Sequence, residues 1–409
     1  MTGSLLQLVA NNDENFSKIM LGNPKITHFK NVLKKTINFS VDSKILQYEN
    51  DIVLGQENTC KIINQGMLLS KILVYIELSD LESINKNESW LGYINALGFS
   101  IIKNISFHIG GILIDKIDGN FLDIYSELYD RNIDELVNKY NTDINLESNS
   151  KTQKLYIPIP FWFCNDYGNI LPIEAIEHQE LKIIVEFRNI NEIYKSNINN
   201  IELNNLNITS YIIADYINVD KYIQKYFKLN KHIYLIEQTQ ILPDYTLTLT
   251  QTSAKIDLDF SLFVKEIMWI ILEETNNTQN IETGNNWLTY TSIFSNYENT
   301  FTTAKITLDG TDRIEYMNAD YYKKIIPYKY YKYIPRKNIY TYTFNIKPDL
   351  YNQTIGYCNF SQINKSQLHL QFANSGNNGG ICNGIVKIYG RNYNLLLIEN
   401  NKAGLVFMN

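Results

Sequence analysis

Apolar and polar positions alternate along most of the recognisable segments of this chain. In KILVYIELS, from Lys71 to Ser79, Ile72, Val74, Ile76 and Leu78 fall on one face. ELKIIVEF (Glu180–Phe187), IYTYTFNI (Ile339–Ile346) and QLHLQF (Gln367–Phe372) alternate in the same way. A period of two, carried by β-branched and aromatic residues, marks strands buried on one side. Helical periodicity is confined to the segment after Gly119 and to VDKYIQKYF, Val219 to Phe227. The pattern predicts an all-β chain with short helical insertions. Polar, Asn-rich stretches at Asn138–Lys154, Glu273–Asn286 and Asn374–Asn383 read as loops, and a seam between halves falls near Asp215–Asn230.

One device occurs twice. In ISFHIGGILIDKIDGNFLDIYSELYD, Phe107 and Ile109 alternate with polar positions, Gly110-Gly111 turns the chain, and Ile112 and Ile114 return. In AKITLDGTDRIEYMNADYYKKIIPY, Ile306 and Leu308 alternate, Asp309-Gly310 turns, and Asp312 and Arg313 return. Both dipeptides suit the centre of a type I′ hairpin, which needs positive φ. A helix follows each turn. Asn120 is the expected cap of the first, with Asp123 three residues on and Phe121, Ile124, Tyr125 and Leu128 on one face. Asn318 is the expected cap of the second, Tyr322, Ile325 and Ile326 its stripe, and Pro327 its stop. Leu155–Phe187 and Ile339–Phe372 repeat in the same order: a strand, a connection with one Cys, and an alternating strand. Two related β-domains in tandem, each of about eight short strands, suit a sandwich or jelly roll.

Composition narrows the function. The 409 residues are 44% hydrophobic and 20% charged, with a formal net charge of -6. Wrapping nucleic acid directly calls for an excess of Lys and Arg, so direct genome packaging is not expected. No run of 18 apolar residues is present, and MTGSLLQLVANNDENF lacks the basic start of a signal peptide, which points to cytosolic synthesis. Cys60, Cys164, Cys358 and Cys382 are far apart and form no CxxC pair, so reduced thiols are expected. Ile, Asn, Lys and Tyr dominate, as in an AT-rich genome, and the sequons at Asn104 and Asn359 read as chance.

The chemical-looking residues read more simply as structure. His178 and Glu180, two apart on an expected strand, resemble a base and its orienting acid, but no nucleophile accompanies them. Asp115, Asp118 and Asp123 read as turn and cap residues rather than a cation site. The interleaved Lys and Tyr of Lys323–Lys337 resemble a single-strand or lipid-headgroup binder, and read as a helix end plus a connection. The glycines near Gly376–Gly380 lack the setting of a phosphate loop. No catalytic residue, cofactor or metal is expected.

Six blocks in order resemble one family, the double jelly-roll major capsid proteins of nucleocytoplasmic large DNA viruses. LGNPKITHFKNVLKKTINF is similar to its G-N-P-x-I-T-x-F-K opening with a basic pair, and FHIGGILID to its I-G-G-x-x-I-D block. LYIPIPFWFCNDYGNILPIEAIEHQE resembles its P-x-P-F-W-F…L-P block. LDGTDR, YYKKIIPY and GYCNFSQI resemble its N-G-x-D-R, Y-F-x-x-x-x-P-Y and G-x-x-N-F-S-x-I elements. His28 replaces an aromatic, LKK a commoner Y-R-R, and Asp309 an Asn, and the loops are short for the family.

The resemblance implies two tandem eight-stranded jelly rolls, at 24–217 and 218–409, behind an N-terminal arm at 1–23. It implies a homotrimer with pseudo-hexagonal outline that tiles an icosahedral shell, with no enzymatic activity. Its partners would be neighbouring capsomers, minor capsid proteins and an inner membrane layer, without direct contact to nucleic acid. The virion is its implied destination, after assembly in the host cytoplasm. Leu5, Leu6, Leu8, Asn23, Pro24, Lys34 and Lys35 are the expected base and assembly contacts. A minor or paralogous capsid component and a virion carbohydrate-binding β-sandwich are the alternatives.

Overall fold

The computed structural model describes residues 2–10, 23, 29–31, 33, 35–64, 68–81, 91–139, 151–196, 206–248, 251–282, 284–290, 299–372 and 383–407. Residues 39–409 form one compact unit. In the separate unit, residues 1–38, the helix Gly3–Ala10 has no buried residue.

Sixteen principal strands fall into two sets of eight. The first set is β1 (Phe39–Leu46), β2 (Glu57–Lys61), β3 (Leu68–Leu78), β4 (Ile102–Ile109), β5 (Ile112–Asp118), β6 (Gln153–Pro158), β7 (Leu181–Phe187) and β8 (Ile208–Val219). The second is β9 (His232–Ile241), β10 (Ser253–Asp257), β11 (Phe263–Glu273), β12 (Thr303–Leu308), β13 (Thr311–Asn318), β14 (Ile339–Thr343), β15 (Ser366–Gln371) and β16 (Gly384–Glu399). The first set pairs as β1-β8-β3-β6 and β2-β7-β4-β5. The second pairs as β9-β16-β11-β14 and β10-β15-β12-β13. Adding eight to each strand of the first set gives the second. All these pairings are antiparallel, and each half is a two-sheet jelly roll.

Alternation sets the faces. In β3, Ile72, Val74, Ile76 and Leu78 enter the first half's core, which leaves Leu73 and Tyr75 on the outer face. Tyr75 stacks there between Tyr211 and Tyr156, with ring centroids 4.5 and 5.0 Å away. In β11, Val264, Ile267, Trp269 and Ile271 enter the second half's own core. Trp269 lies there with Phe301, Tyr322 and Tyr340, all within 6.4 Å between centroids. Met268, Ile270 and Leu272, on the other face of β11, belong instead to the cluster built around the first half. One apolar cluster therefore runs across the seam between the halves. That makes β11 buried on both faces, as its near-continuous apolar sequence requires.

Both hairpins turn at positive φ: 58° and 84° at Gly110 and Gly111, 48° and 78° at Asp309 and Gly310. The helices that follow depart from the periodicity reading. Asp118, not Asn120, caps Gly119–Leu128, its carboxylate accepting from the Phe121 N–H at 2.7 Å. Asn120 sits inside the helix and donates to the Trp287 carbonyl at 2.8 Å. That helix has no exposed face, because all ten of its residues are buried. In the second half Asn318 accepts from the Tyr321 N–H at 2.9 Å. Tyr321–Ile325 then wind as a π-helix, and Ile326–Tyr330 continue as α-helix. The wider turn buries Tyr322 and Ile326 and swings Ile325 outward to 43% exposure. Pro327 does not stop the helix: it is the second residue of the α segment, in a first turn that tolerates proline.

Of the expected loops, residues 140–150 and 373–382 lie outside the described residues. Glu273 ends β11, and turns follow it. Cys60, Cys164 and Cys358 are free, and Cys382 is outside the described residues.

Candidate functional site

The seam between the halves is where the chain concentrates buried charge. The helix Gly119–Leu128 places Asp123 and Glu127 one turn apart, both fully buried. Lys139 of the same half reaches both, at 2.8 Å each, and its ammonium also donates to the Ser126 hydroxyl at 2.7 Å. The second half supplies two more cations. Lys337 lies 2.8 Å from Asp123, and Arg336 makes bonds of 2.9 and 3.2 Å to Glu127. Arg336 also meets Asp134, and Arg131 lies 3.7 Å from Glu127, giving three carboxylates and four cations in one cluster. Burial would raise both helix carboxyls, but Lys337 and Lys139 hold Asp123 below its usual range, and Lys139 and Arg336 hold Glu127 well below it. Burial opposes the Lys139 ammonium too, yet Asp123 and Glu127 raise it above its ordinary value. Burial lowers Lys337 in spite of Asp123.

A second cluster lies in the outer face of the β9-β16-β11 sheet. Glu237 receives Lys265 and Arg391, each at 2.5 Å, and the Tyr129 hydroxyl donates to Glu266 at 2.5 Å. The Arg391 guanidinium stands 5.7–6.0 Å from the ring centroids of Phe121, Tyr125 and Tyr129. Burial works against that guanidinium, and Glu237 and Glu266 more than reverse it. Tyr389 completes the seam, its hydroxyl donating to Asp118 at 2.9 Å while Phe121 lies 5.9 Å from its ring. Two acids and two bases make this cluster neutral, and breaking one partner of such a buried set is expensive.

β5 meets β9 directly. The Asp115 carboxylate accepts from the Thr239 N–H at 2.8 Å, and the Gln238 amide donates to the Ile114 carbonyl. Burial raises Asp115 to about 7. Asp115, Asp118 and Asp123 thus face three different sets of partners. Asp118 is a cap, Asp115 joins two strands, and Asp123 is an ion-pair centre rather than the turn or cap residue its position suggested. Among the described residues no group of three His, Cys, Asp or Glu is placed to hold a metal ion.

The other chemical-looking residues scatter. His178 and Glu180 lie before β7, not on it, so they do not share a strand face. Glu180 pairs with Lys182 and Lys61 at 2.8 and 3.5 Å. Of the basic run, Arg336 and Lys337 are spent in the seam and Lys324 pairs with Asp320 at 3.2 Å, which leaves no continuous cationic strip. The Asp309 carboxylate accepts from the N–H groups of Asn364 and Lys365 at 2.9 Å. Leu5, Leu6 and Leu8 are exposed on their helix, Asn23 and Lys35 are exposed, and Pro24 and Lys34 lie outside the described residues.

Sequence reasoning passed over Glu127, Lys139, Glu237, Lys265, Glu266 and Arg391, and it read Arg336 and Lys337 as part of a connection between strands. Four of them carried a signal: charges set inside apolar strands, as in YLIEQTQIL, FVKEIMWIIL and IYGRNYNLLL. A charge in a buried strand needs a partner.

A family model for the large eukaryotic DNA virus major capsid protein matches residues 224–404. A second, for the major capsid protein N-terminus, matches residues 27–227. The chain is 27% identical over 441 residues to the major capsid protein of Pyramimonas orientalis virus, with 100% of both chains covered. It is 28% identical over 447 residues to that of Paramecium bursaria Chlorella virus 1, again with 100% of both covered. Among solved structures, the PBCV-1 capsid protein superimposes with a TM-score of 0.76 at 22% identity, covering 94% of this chain and 100% of that one. The Faustovirus major capsid protein gives 0.73 at 11% identity, covering 98% and 99%.

Proposed function

The chain belongs to the double jelly-roll major capsid proteins of large DNA viruses, a structural and non-enzymatic family, and from that premise we propose that its working form is a homotrimeric capsomer. The carrying observation is the repetition of one eight-strand order within a chain whose halves share a sealed, ion-paired seam. Three such chains present six similar jelly rolls around one axis, a block that packs a hexagonal lattice. Cyclic closure also covers faces that one chain leaves open.

The halves are residues 24–217 and 218–409, with the arm at 1–23 reaching neighbours through Leu5, Leu6 and Leu8. Neighbouring capsomers, minor capsid proteins and a membrane layer beneath the shell are the partners of the block, and assembly takes place in the host cytoplasm. Contacts between trimers are weaker and more salt-sensitive than those within one. Light scattering coupled to size exclusion tests the reading. The expected mass is about 143 kDa, three times the 47.7 kDa of the chain, undiminished at micromolar dilution. A stable monomer or dimer would overturn it.

A further inference from the structure

The chain that links the two halves winds into the helix Lys221–Leu229, KYIQKYFKL. It starts where β8 ends, beside the first residues of β3. It leads into the start of β9, beside the last residues of β16. The helix therefore lies across one end of the strands. The fold uses only one flank of it: Ile223 and Phe227 pack on Leu68, Ile217 and Val219, and no residue of the helix is buried. With about 3.6 residues per turn, Tyr222, Tyr226 and Leu229 make a second apolar strip beside that flank. They are 81, 53 and 73% exposed. Lys221, Lys225 and Lys228 make the next strip round. Lys228 pairs with Glu177 at 2.5 Å, whereas Lys221 and Lys225 pair with no carboxylate among the described residues. The helix thus holds three Lys and no acid in a chain of net charge -6, and the flanking Asp220 and Lys231 cancel.

We propose that this helix is a membrane-surface contact that lies on an anionic bilayer. Tyr222, Tyr226 and Leu229 enter the boundary between headgroups and acyl chains, and Lys221 and Lys225 meet the lipid phosphates and carboxylates. An exposed apolar strip edged by unpaired cations is the pattern of an interfacial helix. Tyr rings favour headgroup level, and Lys stems run along apolar surface while the ammonium stays wet. The proposal rests on the reading of a membrane layer beneath the shell, and adds which segment meets that layer and by what chemistry. It also orients the subunit. Ile63, Ile112 and Leu113 are exposed at the same end of the strands, beside the connections that bond to Tyr216 and Glu180. Cyclic symmetry sets the three helices of a capsomer at one height along its axis, so three weak contacts act together.

Co-sedimentation with two kinds of vesicle tests it: phosphatidylcholine alone, and phosphatidylcholine with about one third phosphatidylserine. The unaltered protein is expected to bind the anionic vesicles at least about 10-fold more tightly than the neutral ones, and to release them as salt is added. Lys221→Gln with Lys225→Gln is expected to weaken that binding at least about 30-fold. Tyr222→Ser with Leu229→Ser is expected to weaken it at least about 10-fold. All four positions are exposed, and circular dichroism and light scattering check that each variant keeps the fold and mass of the parent. Independently, a photo-reactive phenylalanine in place of Tyr222 in otherwise unaltered protein is expected to link to lipid. Undiminished binding by both double variants, or vesicle-bound protein that links to no lipid, overturns the inference and leaves the membrane layer as a partner met elsewhere. Equal binding to the two kinds of vesicle overturns it as well. Unaltered protein that binds neither overturns the inference and the membrane partner together, while a trimeric mass keeps the capsomer standing.

Discussion

The helix after β5 and the helix after β13 begin alike and end differently. Each follows a tight positive-φ hairpin, and each starts from a side-chain oxygen accepting the N–H three residues on. The first is buried on every side, with Asp123 and Glu127 locked to cations from both halves. The second buries Tyr322 and Ile326 on its own half and leaves Ile325 and Tyr328 open. The backbone device is the same, so topology does not decide what it does. The difference lies in what the rest of the chain supplies: a sheet face and four cations for the first helix, nothing equivalent for the second among the described residues. A duplicated fold keeps its frame and diverges in its surfaces.

The largest break in that comparison comes from the buried cluster. Glu127→Ala leaves Lys139 and Arg336 with only Asp123 and Asp134 to balance them, and removing one partner of a buried ion pair costs about 3–5 kcal/mol. Urea denaturation should show that loss. Lys103→Ala removes a partly exposed pair with Glu186, 2.6 Å apart, and should cost less than about 1 kcal/mol. Equal effects would mean that the seam is no more than a surface. Acid should act through the same carboxylates. Asp123 and Glu127 are depressed in the folded chain, so their contribution is present above their unfolded values of about 4 and is lost as pH falls below them. Glu127→Gln should blunt that acid limb.

Asp115 has the opposite sign. Its carboxyl is raised to about 7, so the folded state holds a proton that the unfolded chain releases near pH 4. Stability therefore declines as pH rises from about 4 to about 7 and stays reduced above. Asp115→Asn keeps an oxygen for the Thr239 N–H and removes the titration. Denaturation midpoints at pH 4.5 and pH 8 should differ by on the order of 1–3 kcal/mol more in the parent than in the variant. An unchanged difference would place water beside that carboxyl.

The strand class, the tandem halves and both turns were legible because they are local: alternation, a Gly-Gly and an Asp-Gly, and spacing. The seam was not legible, because its partners are remote. Asp123 meets Lys337 across 214 residues, and no window on the chain pairs them. Asn120 had the right chemistry to cap a helix, but Asp118 lay nearer the end of β5 and took the role. Pro327 read as a stop because periodicity assumes α geometry throughout, and the π turn before it changes the register. The exposed face of the second helix was hidden for the same reason.

The smallest expected effect tests the shared frame itself. At Gly111 and Gly310 an added Cβ meets nothing within 4 Å, while φ is 84° and 78°. A side chain there has room, so backbone strain alone acts. Left-handed geometry costs an L-residue about 1–2 kcal/mol, and a β-branched one more. Gly111→Val and Gly310→Val should therefore destabilise the chain by similar amounts, within about 0.5 kcal/mol of each other. Gly110 differs, since a Cβ there would come 2.6 Å from the Gln179 side chain, and Gly110→Val should cost more than either. Matched losses at Gly111 and Gly310 would show that the hairpins are one device in two places. A Gly310→Val chain that melts like the parent would mean that the second turn relaxes out of type I′, which the exposure of β13 along almost its whole length permits.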